Sequence, residues 1–231
     1  MKKIWDISAE EHKKLNALTA FFLKENEKIN LSAIRDKEGV WEKHIVDSLA
    51  AVPIIRERST TPPVKILDFG SGGGFPALPL AAVFPEKQFF PLDSVAKKMR
   101  AVQEIAKKCG MRNVNVLVGR GEDLAKQKEY REQFDIVVSR AAAPWAILLE
   151  IATPFVKKNG IFIAYRGPEH ETSDIPLAKK MGLSLEKIEK YTLKSGEKRE
   201  LWILKKKKHT EKRFPRKVGI PKKKPLTIDF F

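Results

Sequence analysis

"LDFGSGGGFPALPLA", residues 67–81, decides how the rest of the chain is read. An apolar run reaches Asp68 and enters a turn in which four of the five residues 70–74 are glycine, with Phe75-Pro76 next. Glycine has no Cβ and tolerates positive φ, so such a turn lets a ligand approach the backbone between a strand and a helix. A Walker loop needs four residues between its glycines and then Lys-Ser/Thr; Gly70 and Gly74 are too close, and Phe75-Pro76 stand in the place of Lys-Ser. A dinucleotide turn wants a third glycine at position 75, which is Phe. The pattern suits a smaller adenosyl ligand, with Gly70 and Gly72 opening the backbone to a methionine moiety. Asp68 is then placed to accept hydrogen bonds from an ammonium or from loop amides.

Around this turn the chain alternates. Strands are predicted at 64–70, 87–93, 113–119, 134–140 and 160–167, and helices at 75–84, 95–109, 121–131 and 145–157. That rhythm gives a parallel sheet with helices on both faces. "LSLEKIEKYTL" (183–193) and "RELWILKKK" (199–207), joined through "KSGEK", read as an antiparallel hairpin closing one edge. Two helices precede the alternation: 8–29, with a Ser8/Glu11 capping box, and 37–51, with Pro53 after its end. The expected organisation is a helical cap (1–58), a catalytic domain (59–206) entered through the polar linker "RERSTTPPVK" (56–65), and a basic tail (207–231).

Asp93 ends the second strand, 25 residues after Asp68, where an acidic residue meets ribose hydroxyls. "GRGEDL" (119–124) follows the third strand, placing Glu122 or Asp123 toward an adenine edge. Asp93 and Glu122 are equally suited to capping the helices that follow them. Together with Asp68 they stand at the carboxyl ends of three successive strands, the crevice where open α/β sheets bind ligands. S-adenosylmethionine is the expected cofactor.

Composition narrows the partner. The net charge is +16, and residues 205–231 carry eleven Lys/Arg against two Asp/Glu. Such a tail is equally suited to a polyanion such as nucleic acid and to solubility, while Phe214, Pro215, Val218 and Ile220 point to part of it docking. No run approaches the ~18 apolar residues of a membrane span, and the first residues lack an apolar signal core, so a cytoplasmic protein, and a monomer, is expected. The single Cys109 excludes a disulfide framework and a cysteine zinc site, and no metal is expected. "SRAAAPW" (139–145) is neither the Asn/Asp-Pro-Pro-aromatic loop of an exocyclic-amine methylase nor a site with the thiol a cytosine C5 methylase requires. It offers Arg140. Alkylating a ring nitrogen such as guanine N7 uses a lone pair already available, so positioning replaces base catalysis. His44 is better suited to packing or hydrogen bonding than to proton transfer.

The stretches "NLSAIRDKEGVWEKHIVDSL" (30–49), residues 66–81, "LDSVAKKMRAVQEIAKKCGMRNV" (92–114), "GRGEDL", "FDIVVSRA" (134–141) and "FPRKVGIPKKKPL" (214–226) span nearly the whole chain. In that order the chain resembles the bacterial small-subunit ribosomal RNA guanine-N7 methyltransferases, the glucose-inhibited division protein B family. The resemblance implies a Rossmann-like class I methyltransferase fold, with a seven-stranded, mostly parallel sheet, an antiparallel C-terminal hairpin and an N-terminal helical cap. It also implies S-adenosylmethionine as donor and a guanine in a 16S ribosomal RNA loop as acceptor. It puts Gly70 and Phe75 at the cofactor, Gly121 and Glu122 at the adenine, and Arg140 between cofactor and target base as the catalytic candidate. RNA contacts are expected from Lys97, Arg166, Arg216, Lys217, Lys222 and Lys223. The chain departs from the family pattern at Ala77, usually Gly, and at Arg166-Gly167, usually Lys-Gly; Arg166 is therefore assigned to phosphate rather than to chemistry. A ribosome-assembly factor that retains the pocket and a small-molecule methyltransferase are the competing readings.

Overall fold

A computed structural model describes residues 7–58, 63–169 and 174–231. Helix α1 (Ala9–Lys28) begins at the expected capping box, in which Glu11 N–H donates to Ser8 Oγ (3.2 Å) and Ser8 N–H to the Glu11 carboxylate (2.6 Å). The helix expected over 37–51 changes winding: α2 (Lys37–Val40) runs into a wide π-helical segment at Trp41–Val46, a tight 3-10 turn at Leu49–Ala51 and then α3 (Val52–Glu57). Pro53 does not follow the helical stretch but stands in the first turn of α3, where a missing N–H has no intrahelical partner to lose. Positions 59–62 of the expected linker lie outside the described residues.

The sheet contains β1 (Lys65–Phe69), β2 (Gln88–Asp93), β3 (Leu117–Val118), β4 (Phe134–Arg140), β5 (Val156–Arg166), β6 (Leu183–Thr192) and β7 (Lys198–Lys206) in the order β3-β2-β1-β4-β5-β7-β6. Neighbours from β3 to β5 are parallel, and β7 lies antiparallel between β5 and β6. Helices α4 (Ala77–Val83), α5 (Ala96–Lys108), α6 (Gly121–Leu124) and α7 (Trp145–Ala152) provide the crossovers, and α8 (Asp174–Lys180), which no sequence signal announced, precedes the hairpin. Three elements are clearly shorter than predicted. The helix expected over 145–157 ends as an α-helix at Ala152, a 3-10 turn takes Thr153–Phe155, and positions 156–157 already open β5. In place of a continuous strand at 113–119, Leu117–Val118 form a ladder with β2 and Val114 makes a separate bridge to Phe89, while the Asn113 carboxamide turns inward to the carbonyls of Ala81, Phe84 and Lys87. The helix expected to reach 131 ends at Leu124, and the Arg131 guanidinium, not a further helical amide, takes the Ala125 carbonyl (3.2 Å).

Alternation along the strands divides the core. Ile66, Ile136, Val138, Ile161, Ile163, Leu201 and Ile203 face one side, where they meet Leu15, Leu18 and Phe22 of α1 together with α4 and α5. Leu67, Val137, Phe162, Ala164, Trp202 and Leu204 face the other, against α7 and α8. Phe134 joins that second side because the β4–β5 register shifts between Phe134 and Ile136. The N-terminal helices therefore share the core of the sheet they cover.

The basic tail is also packed. Phe214 and Leu226 are buried in the second core, and a short helix α9 (Ile220–Lys223) starts after Gly219. Three glutamates of the sheet domain each accept a successive tail amide: Glu132 from Thr210 (2.8 Å), Glu150 from Arg216 (2.9 Å) and Glu122 from Gly219 (3.2 Å). Arg131 donates to the carbonyls of Thr210, Glu211 and Phe214. Arg216 forks onto the fully buried Glu150 through Nε (2.8 Å) and Nη2 (2.6 Å), and buried Lys206 donates to Thr153 O and Thr210 Oγ1. Removing one partner of a buried pair strands the other charge. Arg216→Ala is therefore expected to cost about 3–5 kcal/mol in a urea unfolding titration; a loss within experimental error would show that the tail is not part of the folded core.

Candidate active site

The site is a cavity of about 660 Å³ at the carboxyl ends of β1, β2, β4 and β5, roofed by the N-terminal helices. Its size lies in the usual range for small-molecule sites, ~300–1,000 Å³. The glycine turn forms its floor: Gly70 and Ser71 both donate backbone N–H to Leu92 O (2.9 and 3.0 Å), stitching the turn to β2. A Cβ at Gly70 (φ +73°) would meet that of Ala142 at 2.4 Å, so this glycine is required for close packing. Gly72 (φ +56°) has nothing within 4 Å of a Cβ placed on it, an open cradle at the cavity. The bound group would have to use this space.

Asp68 is fully buried beneath the turn. Its Oδ2 accepts from Ser71 Oγ (2.6 Å) and Ala77 N (3.0 Å), while Oδ1 has no hydrogen-bond partner. Burial pushes its pKa up to about 6, against the pull of those two donors. Asp93 is half-buried and accepts from Gly72 N (3.1 Å) with Oδ2 and from Val95 N (2.9 Å) with Oδ1. One carboxylate thus locks the turn and starts the run into α5, and it also lines the cavity.

Arg140 ends β4 and crosses to the N-terminal helices. Its Nη1 donates to Asp47 Oδ2 and to Lys43 O (both 2.8 Å), and its guanidinium lies 5.7 Å from the Phe75 ring centre. Nη2 reaches His44 Nδ1 at 3.2 Å. Nδ1 also lies 3.2 Å from Lys43 O, and Nε2 meets Ser32 Oγ at 2.7 Å. The His44 ring stacks on Phe75 at 4.6 Å between centres. Burial and the neighbouring guanidinium hold its pKa down at about 4. His44 is therefore a neutral packing group whose nitrogens are already engaged, which agrees with the role expected of it. Asp47 also accepts from Tyr191 OH (2.6 Å), and Tyr165 OH donates to Ser48 O (2.6 Å), so strands β5 and β6 are tied to the same helical segment.

The loop at 30–34 is held by one side chain. Asn26, buried on α1, accepts from the amides of Leu31 and Ser32 (both 2.8 Å) and donates to the carbonyls of Ser32 and Ile34 (both 3.0 Å). All four valences of the carboxamide are used, which holds Leu31 and Ser32 at the cavity wall.

The expected site residues separate into groups. Gly70, Gly72, Phe75, Asp93, Arg140 and Arg166 line the cavity, with Asp68 directly beneath. Gly121 and Glu122 stand outside the lining. Gly121 is wedged against Phe69 and Ile151, and Glu122 receives the Gly219 amide. Arg166 is held between Trp145 (4.2 Å) and Trp202 (4.3 Å) and pairs with Asp174 at 2.6 Å; its Nη1 is buried with no partner. It is a wall of the cavity and not a free phosphate contact. Arg216, also expected at RNA, is instead the anchor on Glu150, because a buried carboxylate outcompetes solvent for a guanidinium fork. Lys97, Lys217, Lys222 and Lys223 are exposed. Sequence reading missed Asp47, Lys98 and Arg199, all of which line the cavity.

Such a cavity, at the carboxyl ends of a sheet with this strand order, defines a class I S-adenosylmethionine-dependent methyltransferase fold. Solved structures agree on the fold: a SAM-dependent methyltransferase from Aquifex aeolicus (TM-score 0.54, 14% identity, 79% of this chain and 97% of that one) and the YcgJ protein from Bacillus subtilis (TM-score 0.53, 13% identity, 68% and 97%). The chain belongs to the GidB family, rRNA small subunit methyltransferase G, whose pattern matches residues 11–206. It is 40% identical over 205 residues to the ribosomal RNA small subunit methyltransferase G of Lactococcus lactis subsp. lactis strain IL1403 (87% of this chain, 85% of that protein). It is 35% identical over 223 residues to the protein of the same name from Streptococcus pyogenes serotype M2 strain MGAS10270 (95% and 93%). Among the described residues no helix is long and apolar enough to cross a membrane.

Asp68 gives the site a pH signature. Its folded pKa, about 6, lies above the ordinary value of roughly 4, so the carboxylate is disfavoured in the native state. The corresponding stability is complete below pH ~4 and is lost as pH rises to about 6. Asp68→Asn is therefore expected to gain stability relative to the parent between pH 4 and 7, by up to about 3 kcal/mol in urea titrations; a constant difference across that window would refute the assignment.

Proposed function

We propose that the chain transfers the methyl group of S-adenosylmethionine to N7 of a guanine in 16S ribosomal RNA. The observation that carries this reading is the cavity itself, where a glycine cradle and two carboxylates meet a guanidinium and where the one histidine of the lining has both ring nitrogens engaged. The residues fit the cofactor: Gly72 leaves open space, and Asp68 Oδ1 is an unused buried acceptor suited to an ammonium. When bound, the cofactor supplies an electrophilic methyl on a sulfonium. Asp93 is placed to add ribose hydroxyls to the two amides it already accepts. Arg140, held rigid by Asp47, is the candidate to position the target guanine. His44, already neutral and hydrogen-bonded, takes no proton. N7 needs none removed, which is consistent with a reaction driven by alignment.

RNA would approach across the cationic rim of the cavity, where Lys43, Lys98 and Arg199 stand, and onto the docked tail. The exposed Lys217, Lys222 and Lys223 offer phosphate contacts on a rigid support.

Two experiments test this. Methylation of small subunits from a strain lacking the gene, followed by chemical mapping of N7-methylguanosine, should give one new site in 16S RNA; an unmodified RNA with bound cofactor would support the assembly-factor reading. Lys217→Gln, Lys222→Gln and Lys223→Gln together should reduce the salt slope of RNA binding by roughly 2–3 with unchanged cofactor affinity. An unaltered slope would remove the tail from the RNA interface.

A further inference from the structure

At the end of the sheet opposite the active site, a cleft of about 460 Å³ opens between α8, the end of β7 and the start of the tail. Glu200 of β7 pairs with Arg166 beside the cavity, and Lys206, six residues on, pairs with Leu183 at the start of β6. At ~3.4 Å per residue the two sites stand roughly 20 Å apart along the strand. Lys179, Lys180, Lys208 and His209 surround the cleft, and buried Met181 and Phe214 line its base. Gly182 (φ +83°) joins the two basic segments: a Cβ there would meet Lys208 O at 3.2 Å, and its carbonyl accepts the Lys207 amide (2.8 Å). The acids of this region are already engaged. Glu211 pairs with Arg213 (2.8 Å), while Glu132 meets His209 (2.5 Å), Lys206 (3.4 Å) and the Thr210 amide (2.8 Å). Lys179, Lys180 and Lys208 are exposed, and among the described residues none of them forms an ion pair.

Aromatic rings adjoin these cations. Phe214 lies 6.0 Å from Phe230 and 5.8 Å from Phe231 between ring centres. The Lys180 ammonium stands 5.9 Å over Phe231, and the Arg213 guanidinium 5.5 Å over Phe230. Phe230 is 41% exposed, so one ring of the group is open to a partner. Scattered surface lysines signal only solvation. A concave set of unpaired cations beside an accessible ring has the composition of a single-strand nucleic-acid site, where phosphates meet the cations and a base stacks on the ring.

We infer that this cleft is a second RNA-binding site, remote from the cavity, that takes an unpaired strand with its phosphates on Lys179, Lys180 and Lys208 and a base on Phe230. The inference rests on the RNA reading above and adds a second place where that RNA is held. A duplex suits the cleft less well, because its bases are stacked within the helix and leave the ring uncovered. A bilayer of anionic lipid also suits it less well, since a flat headgroup surface does not enter a cleft. RNA engaged at both ends of the sheet is fixed at two points, which sets its direction across the domain.

The test is titration of the full chain into a labelled oligouridine, read by fluorescence anisotropy at several salt concentrations. Lys179→Gln, Lys180→Gln and Lys208→Gln, combined, alter exposed and unpaired side chains, so the thermal midpoint should not move. The salt slope of oligouridine binding should fall by about 2, the share of three phosphate contacts on a single strand. Phe230→Leu keeps apolar bulk and removes the ring; it should weaken the oligouridine roughly fivefold at fixed salt, the lower end for one stacked base. With small subunits as substrate, the triple lysine variant should show a raised KM and the parent's kcat. An unchanged salt slope would overturn the site, and so would a triple variant that loses binding to phosphatidylglycerol vesicles while keeping the oligouridine. Full affinity in Phe230→Leu would overturn the stacking contact and with it the preference for an unpaired strand. A parent chain that methylates no guanine of 16S RNA would defeat the functional reading instead, and the oligouridine titration would still decide the cleft.

Discussion

The ion pair between Arg140 and Asp47 holds the site together. Arg140 comes from the end of β4 and Asp47 from the helical segment before the sheet begins, and both are largely buried. Neither charge is tolerable there alone. Through Asp47 the pair extends to Tyr191 on β6, and through His44 it reaches Ser32 and the loop that Asn26 holds. One buried contact therefore sets the positions of the cavity's roof, its cationic side and its aromatic floor at Phe75. The π-helical winding at Trp41–Val46 belongs to the same arrangement, since wide turns of this kind gather at functional sites. They do so by redirecting successive side chains, here His44 and Asp47, toward one point.

The opposite face is organised by three glutamates that accept amides from the tail. Glu132, Glu150 and Glu122 lie along the line where residues 210–219 cross the domain. The positive charge of the tail is thus divided by the fold. Lys206 and Arg216 are consumed in buried contacts, while Lys217, Lys222 and Lys223 remain outside.

The sheet was legible because its strands are β-branched runs bounded by glycine and polar turns, and β4 was predicted to the residue. The Ser8 cap was legible for a local reason as well: both partners lie within four residues. The failures involve partners far apart in the chain. Where a continuous strand was expected, the Asn113 carboxamide reaches carbonyls some thirty residues earlier, and Arg131, expected inside a helix, serves the tail. Among site residues, the glycine turn and Arg140 could be read from a strand end and a motif. Asp47 could not, because only the fold shows that an acid in one helix faces an arginine 93 positions later. Arg166 and Arg216 were misjudged alike: composition counts positive charges and does not reveal which already have a buried partner.

The order in which these partners are made has a consequence for biosynthesis. Glu122, Glu132 and Glu150 emerge well before residues 210–219, and until those residues arrive, each glutamate lacks the amide that it accepts in the native state. An incomplete chain that has already formed its sheet therefore carries Glu150 without the guanidinium that forks onto it in the complete chain. The last residues of the chain thus complete the contacts of a face laid down long before them.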